Sequence, residues 1–209
     1  MKMERKDFSG DQACEYSCLK GFSEKDMAYG LSSIKMKDSI PIMKWRNEQI
    51  GALRQNKPLT KEDQLKYFEE TVRPQFSQEK PDQVLLRFTH EDKLIGYGGL
   101  VHLNWEDARG EVSFLLESER AKDPNLYLRE CKLFMNLLMK CAFLTLNLNK
   151  ISTEAYSHRE FHVRALESSG FTREGILREQ TQIRGVWTDA VIASCLKSEY
   201  LRRTSGGKQ

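Results

Sequence analysis

Two glutamates, two histidines and a scatter of cations are the side chains in this 209-residue sequence whose types and spacing could do chemistry. Glu111 and Glu154 each fall inside a strand-patterned stretch, at 110–116 and 150–156. Ser157-His158-Arg159-Glu160, where a serine and a glutamate three residues apart read as a capping box, contains His158 and is followed closely by His162; either histidine could act as an acid. Arg120, Lys122, Arg129 and Lys132 gather around the start of a long helical pattern, where local positive charge could hold an anion. Trp45-Arg46-Asn47 and His102-Leu103-Asn104-Trp105 set aromatic faces beside guanidinium and amide donors, a combination suited to a sugar or a nucleotide base. A polyamine would need clustered carboxylates; Glu62, Asp63, Glu69 and Glu70 are acidic, but helical spacing puts most of them on a solvated face.

The elements that must position these groups centre on 123–171. Tyr127, Cys131, Phe134, Leu138, Cys141, Thr145 and Leu148 step by four and three, one face of a long helix starting at Asp123-Pro124. Residues 150–156 alternate, with Ile151, Thr153 and Ala155 on one side and Ser152, Glu154 and Tyr156 on the other. A shorter helix follows and ends at Gly170, suited to the left-handed position after a last turn, with Phe171 as its apolar contact. Upstream, the spacing predicts a strand over 33–37, a helix beginning near Pro41 with Ile42, Trp45 and Gln49 on one face, and a helix capped by Thr60 and stopped at Pro74. Strands are expected over 84–90 and 93–103, joined by a tight turn at Glu91-Asp92, and over 110–116. A hairpin turns at Arg184-Gly185. This order predicts an α/β domain with a mixed central sheet flanked by helices. Residues 1 to about 30 read as a partly ordered appendage, 31–203 as the domain and 204–209 as a disordered tail.

Composition narrows the classes. A net charge of +3 from 33 basic and 30 acidic residues shows no polyanion-binding bias, so no nucleic-acid partner is expected. The five cysteines are odd in number and two sit on the apolar helix, the pattern of reduced core residues in a cytoplasmic protein. Cys14 and Cys18 have no second ligand pair nearby, so no metal is expected. Met1 to Gly10 is charged rather than apolar, so no secretory leader is expected, and Asn136 and Lys140 interrupt the longest apolar run, which argues against a membrane span.

Six stretches in this order resemble the GNAT family of N-acetyltransferases, in the branch of ribosomal-protein, spermidine and amino-sugar enzymes. They are Trp45-Arg46-Asn47, Ile95-Gly96-Tyr97-Gly98-Gly99-Leu100, Arg109-Gly110-Glu111-Val112-Ser113-Phe114, Asn147-Leu148-Asn149-Lys150-Ile151, Ala165-Leu166-Glu167-Ser168-Ser169-Gly170-Phe171 and Val186-Trp187-Thr188-Asp189-Ala190. The resemblance implies a GNAT-like fold in which the parallel strands at 110–116 and 150–156 splay apart. Acetyl-CoA would lie in the gap, its pantetheine amides on the backbone of Phe114, Leu115 and Leu116. The resemblance further implies transfer of acetyl to a primary amine. Glu111 is then the base, where partial burial would raise a carboxylate pKa, and Glu154 on the facing strand is the second choice. Trp45, Arg46, Asn47 and Trp105 would hold the acceptor, an amino sugar on a nucleotide carrier ahead of a protein N-terminus or a polyamine; a homodimer is the possible assembly.

Two departures stand out. The family's glycine-rich turn for the pyrophosphate reads Asn125-Leu126-Tyr127-Leu128-Arg129, with no glycine between Gly110 and Gly170. Lys122, Asn125, Tyr127, Arg129 and Arg159 are the residues left to hold that end of the cofactor. Leu166 stands where many relatives carry a tyrosine that protonates the departing thiolate, although ribosomal-protein enzymes often lack it. Both departures would equally fit a non-catalytic binding module built on the same fold.

Overall fold

The computed structural model describes residues 15–205. Its strands are β1 (Ser23–Asp26), β2 (Tyr29–Ser33), β3 (Val84–His90), β4 (Lys93–Asn104), β5 (Arg109–Leu116), β6 (Lys150–Tyr156), β7 (Thr172–Ile183) and β8 (Val186–Leu196). Its helices are α1 (Ser39–Glu48), α2 (Lys61–Tyr67), α3 (Arg73–Gln75), α4 (Ser118–Ala121), α5 (Pro124–Lys140), α6 (Glu160–Ser168) and α7 (Lys197–Ser205). One mixed sheet runs β1-β2-β3-β4-β5-β6-β8-β7. Every neighbouring pair is antiparallel except β5 and β6, which are parallel.

The glycines of β4 explain how closely the layers meet. A Cβ on Gly98 would stand 2.1 Å from the Ser113 carbonyl oxygen and 2.8 Å from the Phe134 ring of α5. At Gly99, where φ is +138°, it would stand 2.0 Å from the Val84 carbonyl oxygen. Phe134 also packs on Phe88 and Phe114, so α5 covers the face of the sheet bearing those rings. Ser113, Tyr97 and Leu85 point to the opposite face, where they line a cleft with Ile42 and Arg46 of α1 and Tyr67 of α2.

Several expectations need correcting. Residues 15–30 are built into the fold, while the first 14 residues of the expected appendage lie outside the described residues. Tyr16 and Leu19 are buried, Leu85 donates its N–H to the Tyr16 hydroxyl at 3.0 Å, and the β1–β2 hairpin extends the sheet. Strands this short, with no buried side chain in β1 and only Leu31 and Ser33 buried in β2, carry little periodicity, which is why they read as an appendage. The expected strand at 33–37 ends at Ser33, because Asp38 turns the chain by accepting from the Lys35 N–H and from Arg87. Ser157 caps nothing: α6 begins at Glu160 with Arg159 as its cap residue and no side-chain cap bond. Residues 204–205 continue α7, and 206–209 lie outside the described residues.

The stripe on the long helix also breaks at one place. After Lys140 the chain makes a π-helical turn over Cys141–Thr145, with the Leu146 N–H bonded to the Cys141 carbonyl. The extra residue rotates the face, so Leu146 is buried where Thr145 would have been, and Thr145 is exposed.

Candidate active site

Three rungs hold β5 to β6: Arg109 with Lys150, Gly110 with Ile151, and Glu111 with Ser152. Beyond them β5 continues to Leu116 along β4, and β6 continues to Tyr156 along β8. The strands are therefore adjacent at one end and parted at the other. On β5 the Glu117 N–H bonds the Ile95 carbonyl, and the Ser113 carbonyl lies against Gly98, so odd-numbered main-chain groups face β4. Alternation then turns the groups of Val112, Phe114 and Leu116 into the gap. Of the three residues expected to hold a pantetheine arm, Phe114 turns its main-chain groups into the gap. Leu115 faces β4, and the Leu116 carbonyl already accepts from Gln49 Nε2 at 2.8 Å.

One end of the gap opens toward the start of α5. Asp123 accepts from the N–H groups of Asn125 (2.9 Å) and Leu126 (3.2 Å), and its carbonyl accepts from that of Tyr127. Pro124 has no N–H to give. The helix start is thus self-satisfied, and it carries a negative charge where a diphosphate would want a positive one. The cations around it do not converge. Arg120 is committed to the buried Glu130 carboxylate, which also accepts from the Tyr29 hydroxyl, and Lys122 pairs with Glu119 at 2.7 Å. Arg129 and Lys132 are exposed on the helix.

Arg159 takes a different position from these. It donates to the Tyr127 hydroxyl at 3.2 Å and to the Ala52 carbonyl at 3.3 Å. It lines a cleft of about 430 Å³ between the starts of α5 and α6, with Gln49, Pro124, Tyr127, His158 and His162. His162 is not an idle surface group: its Nδ1 and the Tyr127 hydroxyl are 2.8 Å apart. Desolvation, with Arg159 adding to it, pushes its pKa down to about 3, so the imidazole is neutral at pH 7. Burial raises the Tyr127 pKa, so that phenol keeps its proton. Leu166 is buried and apolar, as read from the sequence.

At the other end the two glutamates meet. Arg54 Nη2 lies 3.0 Å from Glu111 Oε1 and 3.0 Å from Glu154 Oε2, tying together carboxylates 43 positions apart in sequence. A polar cleft of about 570 Å³ opens here, lined among others by Arg54, Asn56, Glu154, Tyr156, Gln180 and Gln182. The residues expected to hold the acceptor are used otherwise. Trp45 is 6% exposed and belongs to the core. Arg46 donates to Gln55 (3.0 Å) and to the Tyr97 hydroxyl (2.8 Å); Asn47 bonds the Leu59 N–H and carbonyl. Together they pin the α1–α2 connection that carries Arg54. Trp105 donates its indole N–H to the Pro81 carbonyl at 2.8 Å and packs against the core. Arg54 and Gln49 are the site residues that sequence reasoning missed as such. Gln49 was legible only as part of a helix face, and Arg54, in an irregular connection, gave no signal.

Among the described residues no group of three histidines, cysteines or acids could hold a metal, and no helix is long and apolar enough to cross a membrane. The sequence matches the family model described as an acetyltransferase (GNAT) domain over residues 31–192. It is 28% identical over 109 residues to an uncharacterized N-acetyltransferase p20 of Bacillus licheniformis, a match that spans 52% of this chain and 58% of that protein. Among solved structures, a spermidine N-acetyltransferase from Vibrio cholerae in complex with CoA and spermine superposes with a TM-score of 0.73. It is 19% identical, over 84% of this chain and 99% of that one. A dodecameric form of spermidine N-acetyltransferase from the same organism gives 0.71 at 20% identity, over 85% and 99%. At such identities the likeness concerns the fold.

Proposed function

Because its match to the family model covers residues 31–192, the chain belongs to the GNAT acetyltransferase family, and from that premise we propose that it moves acetyl from acetyl-CoA to a primary amine. The observation that carries this is the parting of β5 and β6 just past Glu111, with Glu154 two residues past the last rung on the other strand. Main-chain groups of Val112 and Phe114 facing the gap fit a pantetheine arm. The diphosphate end fits less well, since Asp123 occupies the α5 amides; Arg159 is the cation at that end which lines a cleft. When bound, acetyl-CoA supplies its acetyl group as a thioester.

The residues of the chain supply the rest. Glu111 takes a proton from the arriving ammonium, leaving a neutral amine able to attack. Glu154 faces it and steadies the positive charge before that transfer. The second proton of the amine nitrogen would pass to solvent as the C–N bond forms and the C–S bond breaks. Because Leu166 has no proton to give, the departing thiolate would be protonated from solvent as well. The acceptor cleft has neutral amide side chains at Asn56, Gln180 and Gln182, and a second arginine, Arg184, among its lining. That set favours one ammonium attached to a neutral hydrogen-bonding chain, as at a peptide N-terminus, and disfavours the further cations of a polyamine. With Trp45 buried and Trp105 tied to Pro81, the aromatic faces that favoured an amino sugar are withdrawn. Assembly into a homo-oligomer is part of the proposal: Ile176, Val186 and Trp187 are exposed on the β7–β8 hairpin, and β7 is a sheet edge.

The test is CoA release from acetyl-CoA with three acceptors: a short peptide with a free N-terminus, spermidine, and a nucleotide-linked amino sugar. The peptide should turn over fastest. Glu111→Gln should lower kcat by about 10²–10⁴-fold while acetyl-CoA affinity stays within about twofold, since an amide cannot take the proton. Equal losses in both would make Glu111 a structural carboxylate, and no turnover of any amine would favour a non-catalytic module.

A further inference from the structure

We infer that Glu111 and Glu154 form a seat for one primary ammonium, that Arg54 fills this seat in the free protein, and that an acceptor enters by displacing it. The inference names the acceptor subsite of the reading above and rests on it, but its test needs neither acetyl-CoA nor turnover.

Three observations carry it. A single guanidinium nitrogen stands 3.0 Å from an oxygen of each carboxylate, which is where the nitrogen of an ammonium would stand between the same two groups. The carboxylates come from adjacent strands just where their ladder ends, so the sheet sets their separation; their side chains are 25% and 17% exposed. Arg54 comes from an irregular connection and its side chain is 49% exposed. The acids are thus the fixed partners and the cation the solvent-facing one.

The connection itself is anchored on both sides of Arg54. Arg46 and Asn47 hold Gln55 and Leu59, and Arg159 bonds the Ala52 carbonyl. Withdrawal of the Arg54 side chain into the open cleft therefore breaks its two carboxylate contacts without unfastening the backbone. Two partly exposed ion pairs are together worth about 1.4 kcal/mol, an amount one well-placed ammonium recovers. A neutral acceptor recovers none of it, so Arg54 also sets specificity: it admits amines that arrive protonated and turns away alcohols of the same shape.

The experiment uses n-butylammonium as the probe and n-butanol as its neutral counterpart, titrated calorimetrically into the 209-residue protein at low ionic strength. Arg54→Gln empties the seat and should bind n-butylammonium at least tenfold more tightly than the wild type. Adding Glu154→Gln to Arg54→Gln should remove that gain, and Arg54→Lys, which refills the seat with its own ammonium, should bind as weakly as the wild type. Butanol, which gains nothing from the two carboxylates, should bind every form at least tenfold more weakly than Arg54→Gln binds n-butylammonium. The inference is overturned if Arg54→Gln, shown folded by its circular dichroism, gains less than threefold, or if the gain survives loss of Glu154. Acetyl-CoA binding measured on the same samples keeps a failure of the transferase reading separate, since the ammonium titration contains no cofactor.

Discussion

Tyr127, His162 and Arg159 show how burial decides what a side chain can do here. His162 lies at the edge of a capping-box sequence and reads as a helix-surface histidine, yet it shares a 2.8 Å hydrogen bond with Tyr127 and is held neutral by desolvation and by Arg159. Desolvation pushes its pKa in the folded protein down to about 3, below the 6.5 of an ordinary imidazole. Between those values the unfolded chain binds the proton and the folded one does not, so stability rises with pH across that window and is lost as pH falls through it. Taking the protein from pH 7 to pH 5 should cost up to about 2 kcal/mol through this residue alone. Chemical denaturation at both pH values should show the loss in the wild type, and His162→Asn should flatten that component. An equal pH slope in the variant would mean that other groups titrate in its place.

At the scale of elements, the start of α5 is where stability and cofactor binding compete. Asp123 satisfies two amides that an anion would otherwise use, and a chain of partners from Tyr29 through Glu130 to Arg120 fixes the helix against β2 and α4. Removing the cap with Asp123→Ala should cost about 1 kcal/mol of folding stability. It should also tighten acetyl-CoA binding several-fold, because two N–H groups are freed and one repelling charge is gone. Calorimetric titration of both proteins with acetyl-CoA measures this. Unchanged affinity would put the diphosphate away from α5 altogether, toward α6.

For the molecule as a whole, a ligand that binds only the folded state must stabilise it. At a hundredfold excess over its dissociation constant, acetyl-CoA should add about 2.7 kcal/mol, or about 5–10 °C in Tm for a chain of this size. If charged side chains such as Arg159, rather than backbone amides, hold the diphosphate, the shift should shrink as salt rises. Dephospho-CoA and pantetheine separate the contributions of the phosphates. Absence of any shift with millimolar acetyl-CoA, in protein shown to be folded, would favour a binding module.

Local periodicity and capping determined much of this protein in advance. The β6 boundaries, the Asp123-Pro124 start of α5, the Thr60 cap of α2, the positive-φ turns at Glu91-Asp92 and Arg184-Gly185 and the left-handed Gly170 are all set by side chains within a few residues of one another. The order of elements sufficed for a mixed sheet, and the parting of its parallel strands was what the family resemblance implied. What tertiary structure decided is where long side chains end. An arginine has the same sequence signature whether it is solvated, like Arg129, locked to a buried acid, like Arg120, or shared between two strands, like Arg54. Trp45 could have faced a substrate or the core, since helical spacing names the face and not its neighbour. That Arg54 bridges Glu111 and Glu154 depends on two strands pairing across an intervening helix, a pairing for which no window of sequence holds the information.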